Sequence, residues 1–268
     1  MDFDFTEEQH MLRDSVSKMM DRHATPEYIR RLDREQAYPY ELYDEWVKAG
    51  LLGMPFPEEY GGLGGNIIDL AIISEELSRR STDLSMAYGG SLFCGLNLLK
   101  KGTEEQKRYW LPKLISGEVK FSISMSEPDA GSDLASLKTR GVIDGEEIVI
   151  TGQKVWTSGA TEANMMFCLA RTDQDAPKHA GISYVLLPMF KEDKSTNGIE
   201  LRPIRQPHGA SHFTETFLTE SRAPVANIIG GMNNGWRVTM TTLGNERGGN
   251  ATTQHVEFTK QFWSAVEM

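Results

Sequence analysis

The sequence predicts an α+β protein with an N-terminal α-helical domain, a middle β-barrel or β-sandwich domain and the start of a C-terminal helical domain. Three changes in the apolar pattern support this fold class. Apolar residues recur at helical spacing up to about residue 119, alternate with a period of two from Phe121, and return to helical spacing near Asn234. The predicted domains are residues 1–119, 120–233 and 234–268.

The N-terminal domain is predicted to consist of amphipathic helices. Thr6-Glu7-Glu8-Gln9 has the form of a capping box, in which the first and fourth residues satisfy each other's backbone N–H groups. Met11, Leu12, Val16 and Met19 then recur at helical spacing. Further helices are predicted for Tyr40–Leu51, for Ile67–Ser78, for Leu84–Leu99 and for the residues after the cap Thr103-Glu104-Glu105-Gln106.

The middle domain is predicted to be built from short strands. Gly141–Ile148 and Ile150–Trp156 are typical of a hairpin with Asp144-Gly145 as its turn. Short strands separated by polar loops favour a barrel or a sandwich. The other predicted strands are Phe121–Ser126, Met165–Arg171, Gly181–Pro188, Ile199–Ile204 and Thr214–Leu218.

Composition and charge exclude several functional classes. The chain of 268 residues has 28 basic and 38 acidic residues and a net charge of -10, which argues against a nucleic-acid or anionic-membrane surface. The N-terminal MDFDFTEEQ is acidic and has no apolar core, so it predicts no targeting segment. No apolar run reaches the roughly 20 residues that span a bilayer. We therefore expect a cytoplasmic protein without membrane insertion.

Metal and dinucleotide motifs are also absent from the pattern. Cys94 and Cys168 are the only cysteines, lie in apolar segments and are expected to be reduced, buried thiols. His208 and His212 are separated by Gly-Ala-Ser and have no third ligand nearby, so no metal site is predicted. Pro57–Gly65 lacks a full G-x-G-x-x-G and follows no strand, which excludes a Rossmann loop.

The stretch 121–160 contains two unusual segments joined by the predicted hairpin. In FSISMSEPDAGSD, apolar residues alternate with Ser122, Ser124 and Ser126, which predicts a strand with one apolar and one hydroxyl face. The small residues that follow allow backbone N–H groups and hydroxyls to converge on an anion or on carbonyl oxygens. In GQKVWTSGA, the indole of Trp156 precedes two hydroxyl residues. Together the segments predict a slot for a planar heterocycle with hydrogen-bonding edges.

These segments carry a family resemblance. SEPDAGSD followed by QKVWTSGA resembles the two flavin-binding signatures of the acyl-CoA dehydrogenase family, and EEYGG and GTEEQKRYWLPKL extend the resemblance over nearly the whole chain. The resemblance implies bound FAD and α,β-dehydrogenation of an acyl-CoA thioester. It also implies an electron-transfer flavoprotein as the partner that receives the electrons.

The sequence departs from the family pattern after the middle domain. Family members continue into a C-terminal helical bundle that covers the flavin and builds the tetramer, whereas only its first helix, from Asn234 to Met268, is predicted here. The usual glutamate base and the arginine that reaches a neighbouring subunit's flavin are expected to be absent with the bundle. A homo-oligomer is expected of a full-length form.

The resemblance implies cofactor roles residue by residue. Backbone and hydroxyl groups around Met125 and Ser126 would hold the pyrimidine edge of the flavin, and Trp156 would cover one ring face. The segment Thr157–Ser158 would form hydrogen bonds near N5, while Ser132 would lie near the pyrophosphate and the acyl-CoA. The expected cofactor-binding set is Ile123, Met125, Ser126, Gly131, Ser132, Trp156, Thr157 and Ser158.

The catalytic base is predicted at Glu246. This residue lies in LGNERGG, at a helix position that resembles the base of family members acting on branched or long chains. Arg247 beside it matches an arginine that the family places near the substrate. Dehydrogenation needs such a carboxylate to remove the α-proton while the β-carbon gives hydride to the flavin. A simple helix ion pair between the two residues is the alternative.

Two other functions stay open at this point. One is an oxidase or a desulfinase-type relative that uses the same pocket. The other is a non-catalytic or truncated subunit that binds flavin and acyl-CoA. Anaerobic bleaching of the flavin by acyl-CoA separates a dehydrogenase from a binder, and rapid reoxidation by oxygen indicates an oxidase.

Overall fold

The structure, a computed structural model, describes residues 4–207, 209–251 and 253–267, with the side chains of Ser91 and of residues 246–251 outside that description. The helices are α1 (Glu7–His23), α2 (Pro26–Glu35), α3 (Tyr40–Lys48), α4 (Ile67–Arg80), α5 (Thr82–Lys101), α6 (Glu104–Ile115), α7 (Gly235–Ala251) and α8 (Gln254–Val266). The strands are β1 (Phe121–Ser124), β2 (Arg140–Asp144), β3 (Glu147–Ser158), β4 (Met165–Arg171), β5 (Ile182–Pro188), β6 (Ile199–Ile204), β7 (Phe213–Pro224) and β8 (Ile228–Ile229). The predicted order of helices, sheet and helix is confirmed.

The chain divides into two compact units. The first comprises Met1–Phe93, Ile115–Gly117 and Asn245–Met268, and the second comprises Cys94–Leu114 and Glu118–Gly244. The first unit is helical, and the second contains the sheet.

The first unit starts with the predicted capping box. Thr6 N donates to Gln9 Oε1 and Gln9 N donates to Thr6 Oγ1, each at 3.2 Å. Gln9 Nε2 also donates to Asp69 Oδ1 at 3.1 Å, where α1 packs against α4. Val16 and Met20 are buried on this helix. The predicted capping box of α1 is therefore confirmed, whereas of the predicted apolar residues only Val16 is buried and Met11 is 67% exposed.

Helix α2 has no counterpart in the sequence prediction. Its segment PEYIRRLDRE buries no residue completely, but Tyr28, Ile29 and Leu32 recur at helical spacing and are partly buried. Tyr28 N donates to Thr25 Oγ1 at 3.2 Å, and Pro26 occupies the first turn, where its fixed φ suits the helix. Local capping therefore defines this helix.

The sequence after Asn234 predicts one helix, but the structure contains two, α7 and α8. Helix α8 begins after its N-cap residue, Thr253. In α8, Val256 is buried, and Lys260 Nζ donates to Ser78 O at 2.7 Å. Another set of apolar residues on α8 stays exposed: Phe258, Phe262, Trp263 and Val266.

The second unit contains one eight-stranded mixed sheet. Its strand order is β6-β7-β3-β1-β4-β5-β8, with β2 beside β3 and β4. Strands from both ends of this order contribute to one buried cluster, which includes Ile199 of β6, Ile228 of β8 and Val185 of β5. The sheet therefore surrounds a single core, which agrees with the predicted β-rich middle domain.

The predicted hairpin is present, with Asp144 paired to Glu147 across the turn. Strands β4 and β6 have the predicted bounds. Strand β7 extends to Pro224, well beyond the predicted end at Leu218, because its polar second half pairs with β3. Pairing with a neighbour, rather than apolar alternation, sets the length of that strand.

Both cysteines are free and buried, as expected. Burial raises the pKa of the Cys94 thiol and raises the pKa of Cys168 to about 11. Among the described helices, none combines the length and the apolar character that crossing a membrane requires.

Candidate functional site

The hydroxyl face of β1 points into the protein, which corrects the expectation that its serines line a slot. Ser122 and Ser124 are 1% and 0% exposed, whereas Ile123 between them is partly exposed. Ser122 Oγ donates to Met165 O at 3.4 Å. Alternation shows that a strand has two chemically different faces, but it does not show which face packs against the core. Serine hydroxyls can be buried when they form hydrogen bonds with other protein groups.

Four buried hydroxyl groups form a network inside the sheet. Ser124 Oγ lies 2.9 Å from Thr157 Oγ1, and Thr216 Oγ1 donates to Thr157 Oγ1 at 3.1 Å. Thr214 Oγ1 lies 3.3 Å from Thr216 Oγ1. Thr157 is 0% exposed. Through these hydrogen bonds its hydroxyl links β1, β3 and β7. Only its backbone remains for the cofactor role expected of it.

This arrangement predicts different effects for two adjacent hydroxyl residues. Thr157→Val should lower the free energy of unfolding by about 1–3 kcal/mol, because it removes the shared partner of two buried hydroxyls. Ser158→Ala should change it by less than about 0.5 kcal/mol, because Ser158 is exposed. Urea unfolding of both variants measures the difference. Equal losses would contradict the assignment of Thr157 to the interior network.

A bulge in β3 turns Trp156 outward. The register between β3 and β7 shifts between Lys154 and Thr157, so that both of these side chains are buried although three positions apart. Trp156 between them has a φ of 61° and is 57% exposed. Its indole lies edge-to-face with Phe213, with ring centroids 6.0 Å apart. A bulky residue in the left-handed region is costly, and such strained positions cluster at functional sites.

The two segments predicted from sequence lie beside each other. Ile123 is paired with Ser158, and Val155 N donates to Ser126 O at 2.9 Å. Ser126 is partly exposed and Ser158 is exposed. The end of β1 and the bulged end of β3, which carries Trp156, are thus held side by side.

Met125 and Ser126 supply two adjacent backbone donors. Their carbonyls are engaged, because Met125 O accepts from Lys154 Nζ at 3.0 Å and Ser126 O accepts from Val155 N. Neither of their N–H groups has an acceptor within the described part of the chain. Backbone donors in proteins are normally paired with protein, water or ligand. These two groups can therefore bind a carbonyl oxygen or a ring nitrogen.

A buried ion pair, which the sequence analysis did not identify, lies behind these donors. Lys154 Nζ donates to Glu127 Oε1 at 2.9 Å, with side chains 0% and 7% exposed. Glu127 also accepts from Lys138 N at 2.6 Å and Thr139 N at 2.9 Å. Burial pushes the Glu127 pKa upward, but Lys154 and these amide donors outweigh it and hold the pKa below its usual range. The sequence signal for this pair was a lysine at an inward-facing position of β3. The bulge interrupts the alternation of side chains along β3, so that this position does not stand out in the sequence.

The turn after β1 places Gly131 and Ser132 at the surface. Glu127 and Ala130 close it with two backbone hydrogen bonds of 3.0 Å. A Cβ added at Gly131 would meet no protein atom within 4 Å, so the turn leaves open space at this position. The N–H and hydroxyl groups of this turn are thereby available to an anion.

The predicted base and its neighbour are not placed by the structure. The backbones of Glu246 and Arg247 belong to α7, but their side chains lie outside the described residues. His208 also lies outside them. In the part of the chain that is described, no group of three or more His, Cys, Asp or Glu side chains could hold a metal ion.

The site as a whole suits a planar, hydrogen-bonding ligand. Met125 and Ser126 provide edge donors, Trp156 provides an exposed aromatic surface, and Ser158 provides an exposed hydroxyl. The donor set is neutral and directional, which fits the mixed polar edge of a flavin ring.

Comparison with family models identifies two domains. Residues 6–118 match the model described as "Acyl-CoA dehydrogenase, N-terminal domain", and residues 122–220 match "Acyl-CoA dehydrogenase, middle domain".

Curated relatives give the same result. Acyl-CoA dehydrogenase IpdE1 of Mycobacterium tuberculosis is 36% identical over 220 residues, which cover 82% of this chain and 56% of the relative. Mitochondrial isovaleryl-CoA dehydrogenase of Pongo abelii is 33% identical over 250 residues, which cover 90% of this chain and 57% of the relative. The chain thus spans a little over half the length of these relatives.

Solved structures share the fold. An acyl-CoA dehydrogenase from Geobacillus kaustophilus superposes with a TM-score of 0.85 at 29% identity, covering 97% of this chain and 68% of that one. The steroid ACAD Tcur3481-Tcur3483 superposes with a TM-score of 0.82 at 34% identity, covering 99% of this chain and 67% of that one.

Proposed function

The chain belongs to the acyl-CoA dehydrogenase family, and from this membership we propose that it binds FAD and acts in the α,β-dehydrogenation of an acyl-CoA thioester. One observation supports the proposal above the others. The backbone donors of Met125 and Ser126, which have no acceptor in the described chain, lie beside a bulge that turns the indole of Trp156 outward.

The chain's own groups would hold the cofactor as follows. The N–H groups of Met125 and Ser126 bind the pyrimidine edge, and the indole of Trp156 packs on one ring face. The Thr157 backbone and the Ser158 hydroxyl form hydrogen bonds near N5. Gly131 and Ser132 bind the pyrophosphate, with Ser132 also near the acyl-CoA, and Ile123 packs beside the ring.

FAD, when bound, supplies the acceptor for the hydride that leaves the β-carbon of the substrate. The protein must stabilise the charge that develops on the cofactor and remove the α-proton of the substrate. Fixed backbone donors are suited to the first task, because they need no reorganisation when charge develops. A carboxylate near the α-carbon is needed for the second, and we propose Glu246 for it, with Arg247 near the substrate.

The assignment of Glu246 can be tested in a full-length or reconstituted protein. Glu246→Gln should lower turnover with acyl-CoA by about a hundredfold or more, because proton transfer in the transition state is lost, while FAD affinity stays unchanged. Glu267→Gln, an exposed carboxylate in the same C-terminal region, should leave turnover unchanged. Normal turnover in Glu246→Gln would show that another group is the base.

The function itself is tested by flavin spectroscopy. The purified chain should bind FAD, and anaerobic addition of acyl-CoA should bleach the flavin absorbance. Binding without bleaching would indicate a non-catalytic subunit. Rapid reoxidation of the reduced flavin by oxygen would indicate the oxidase alternative. A chain that binds no FAD would overturn the proposal.

We also propose an electron-transfer flavoprotein as the electron acceptor and a homo-oligomer as the assembled form. The exposed apolar residues on α8, which include Phe258 and Trp263, support association. Reduction of the acceptor flavoprotein in a coupled assay and the mass in solution check the two proposals. Cytoplasmic location stays a prediction.

A further inference from the structure

Lys154 and Glu127 form an ion pair away from solvent, and stability alone does not explain it. Their side chains are 0% and 7% exposed, with Nζ and Oε1 2.9 Å apart. Removing two charges from water is costly enough that a well-packed apolar pair is often as stable. A role for the pair beyond stability is therefore sought in the other hydrogen bonds of Lys154 and Glu127.

The lysine acts on one particular peptide unit. Besides Glu127, its Nζ donates to Met125 O at 3.0 Å. That carbonyl belongs to the same peptide unit as the N–H of Ser126, which has no acceptor among the described residues. The carbonyl oxygen of this peptide group is thus bound by a buried cation, and its N–H remains available to a ligand.

A cation bound to a carbonyl makes the N–H of the same amide a stronger donor. Consecutive hydrogen bonds polarise one another, and the effect is larger in a low-dielectric interior. The N–H of Ser126 is therefore the point at which the charge of Lys154 acts outside the core. Glu127 fixes the ammonium there, since its own carboxylate is held by the N–H groups of Lys138 and Thr139.

We infer that Lys154 is a positioning residue that polarises the Met125–Ser126 peptide unit and, through the N–H of Ser126, favours negative charge on the bound flavin. The inference rests on the proposed FAD site. The stronger donor binds the reduced cofactor more tightly than the oxidised one, because the reduced form carries more negative charge on its pyrimidine edge. The pair thereby sets the reduction potential of the site.

The test compares reduction potentials of four FAD-loaded variants with that of the unmodified chain. Lys154→Met should lower the ratio of affinities for reduced and oxidised flavin about tenfold, which equals a fall of about 30 mV for a two-electron couple. Glu127→Gln should shift the potential upward, because the positive charge is then uncompensated. Lys154→Met/Glu127→Gln should lie between the unmodified chain and Lys154→Met. Leu187→Ala, a change in the core of the same sheet, should leave the potential unchanged.

A second measurement needs no flavin. In the flavin-free chain, the amide nitrogen chemical shift of Ser126 should change in Lys154→Met and in the double variant, because it responds to the hydrogen bond on the preceding carbonyl. It should not change in Leu187→Ala. Should a single variant fail to fold, the double variant, which buries no unpaired charge, takes its place in both measurements.

The outcomes separate this inference from the proposed function. Opposite shifts in the two single variants support it, since general loosening of the site would move both in one direction. Shifts of the same sign, or a Lys154→Met potential equal to that of Leu187→Ala, overturn it while FAD binding stands. If the unmodified chain binds no FAD, the proposed function fails, and an unchanged Ser126 amide shift then overturns the polarisation as well.

Discussion

Replacing Glu127 with alanine should lower the free energy of unfolding by about 3–5 kcal/mol, because the substitution leaves the ammonium of Lys154 buried without its counter-charge. Lys154 is 0% exposed. The substitution also removes the acceptor for the backbone N–H groups of Lys138 and Thr139. Chemical denaturation at neutral pH measures the loss.

An exposed ion pair of the same length provides the control. Arg222 Nη1 lies 2.9 Å from Glu147 Oε2, but these side chains are 43% and 47% exposed. Glu147→Ala should therefore cost no more than about 1 kcal/mol, since solvent screens such pairs. Similar losses in the two variants would show that burial does not distinguish the Lys154–Glu127 pair.

The same carboxylate predicts a pH dependence. The folded-state pKa of Glu127 is held below its usual 4.5, because Lys154 and the amide donors outweigh the opposing effect of burial. The stabilisation is therefore fully present above the unfolded-state pKa and is lost as pH falls below about 4.5. Unfolding free energies between neutral and acidic pH should fall less steeply in Glu127→Gln than in the unmodified chain. Parallel curves would contradict the lowered pKa.

Replacing Trp156 with alanine should weaken FAD binding by roughly 10- to 100-fold, on the order of what one aromatic stacking contact contributes to base binding. The stability of the chain should change little, because the indole is 57% exposed. Flavin fluorescence titration gives the affinity, and thermal unfolding gives the stability.

Trp263 is a matched control for this prediction. It is 56% exposed and lies on α8, outside the sheet. Trp263→Ala should leave FAD affinity unchanged. A loss of stability without a loss of affinity in Trp156→Ala would instead show that the indole supports the packing around Phe213.

Much of the fold could be predicted because the signals are local. The Thr6–Gln9 box caps α1, the Asp144-Gly145 turn joins β2 to β3, and β4 follows its apolar run from Met165 to Arg171. Helix α2 was not predicted, although Tyr28, Ile29 and Leu32 recur at helical spacing, because its 10 residues contain only one short apolar repeat.

The candidate site could be located but not oriented from the sequence. The sequence pairs the two segments around Ser126 and Trp156, and the structure brings them side by side. The hydroxyls of Ser124 and Thr157, however, face the interior rather than a ligand. Alternation gives the same pattern for either orientation of a strand, so only the position of the core decides between them.

The sequence by itself therefore determined the element types, the family and the two segments that form the candidate site, because caps, turns and periodicity act between residues close in the chain. Tertiary structure alone decided the bulge that turns Trp156 outward and the pairing of Lys154 with Glu127, 27 positions away. Both depend on which strands pair and in which register. Burial then decides how strongly solvent screens a charge such as that of Lys154, and therefore how strongly this charge acts on its neighbours.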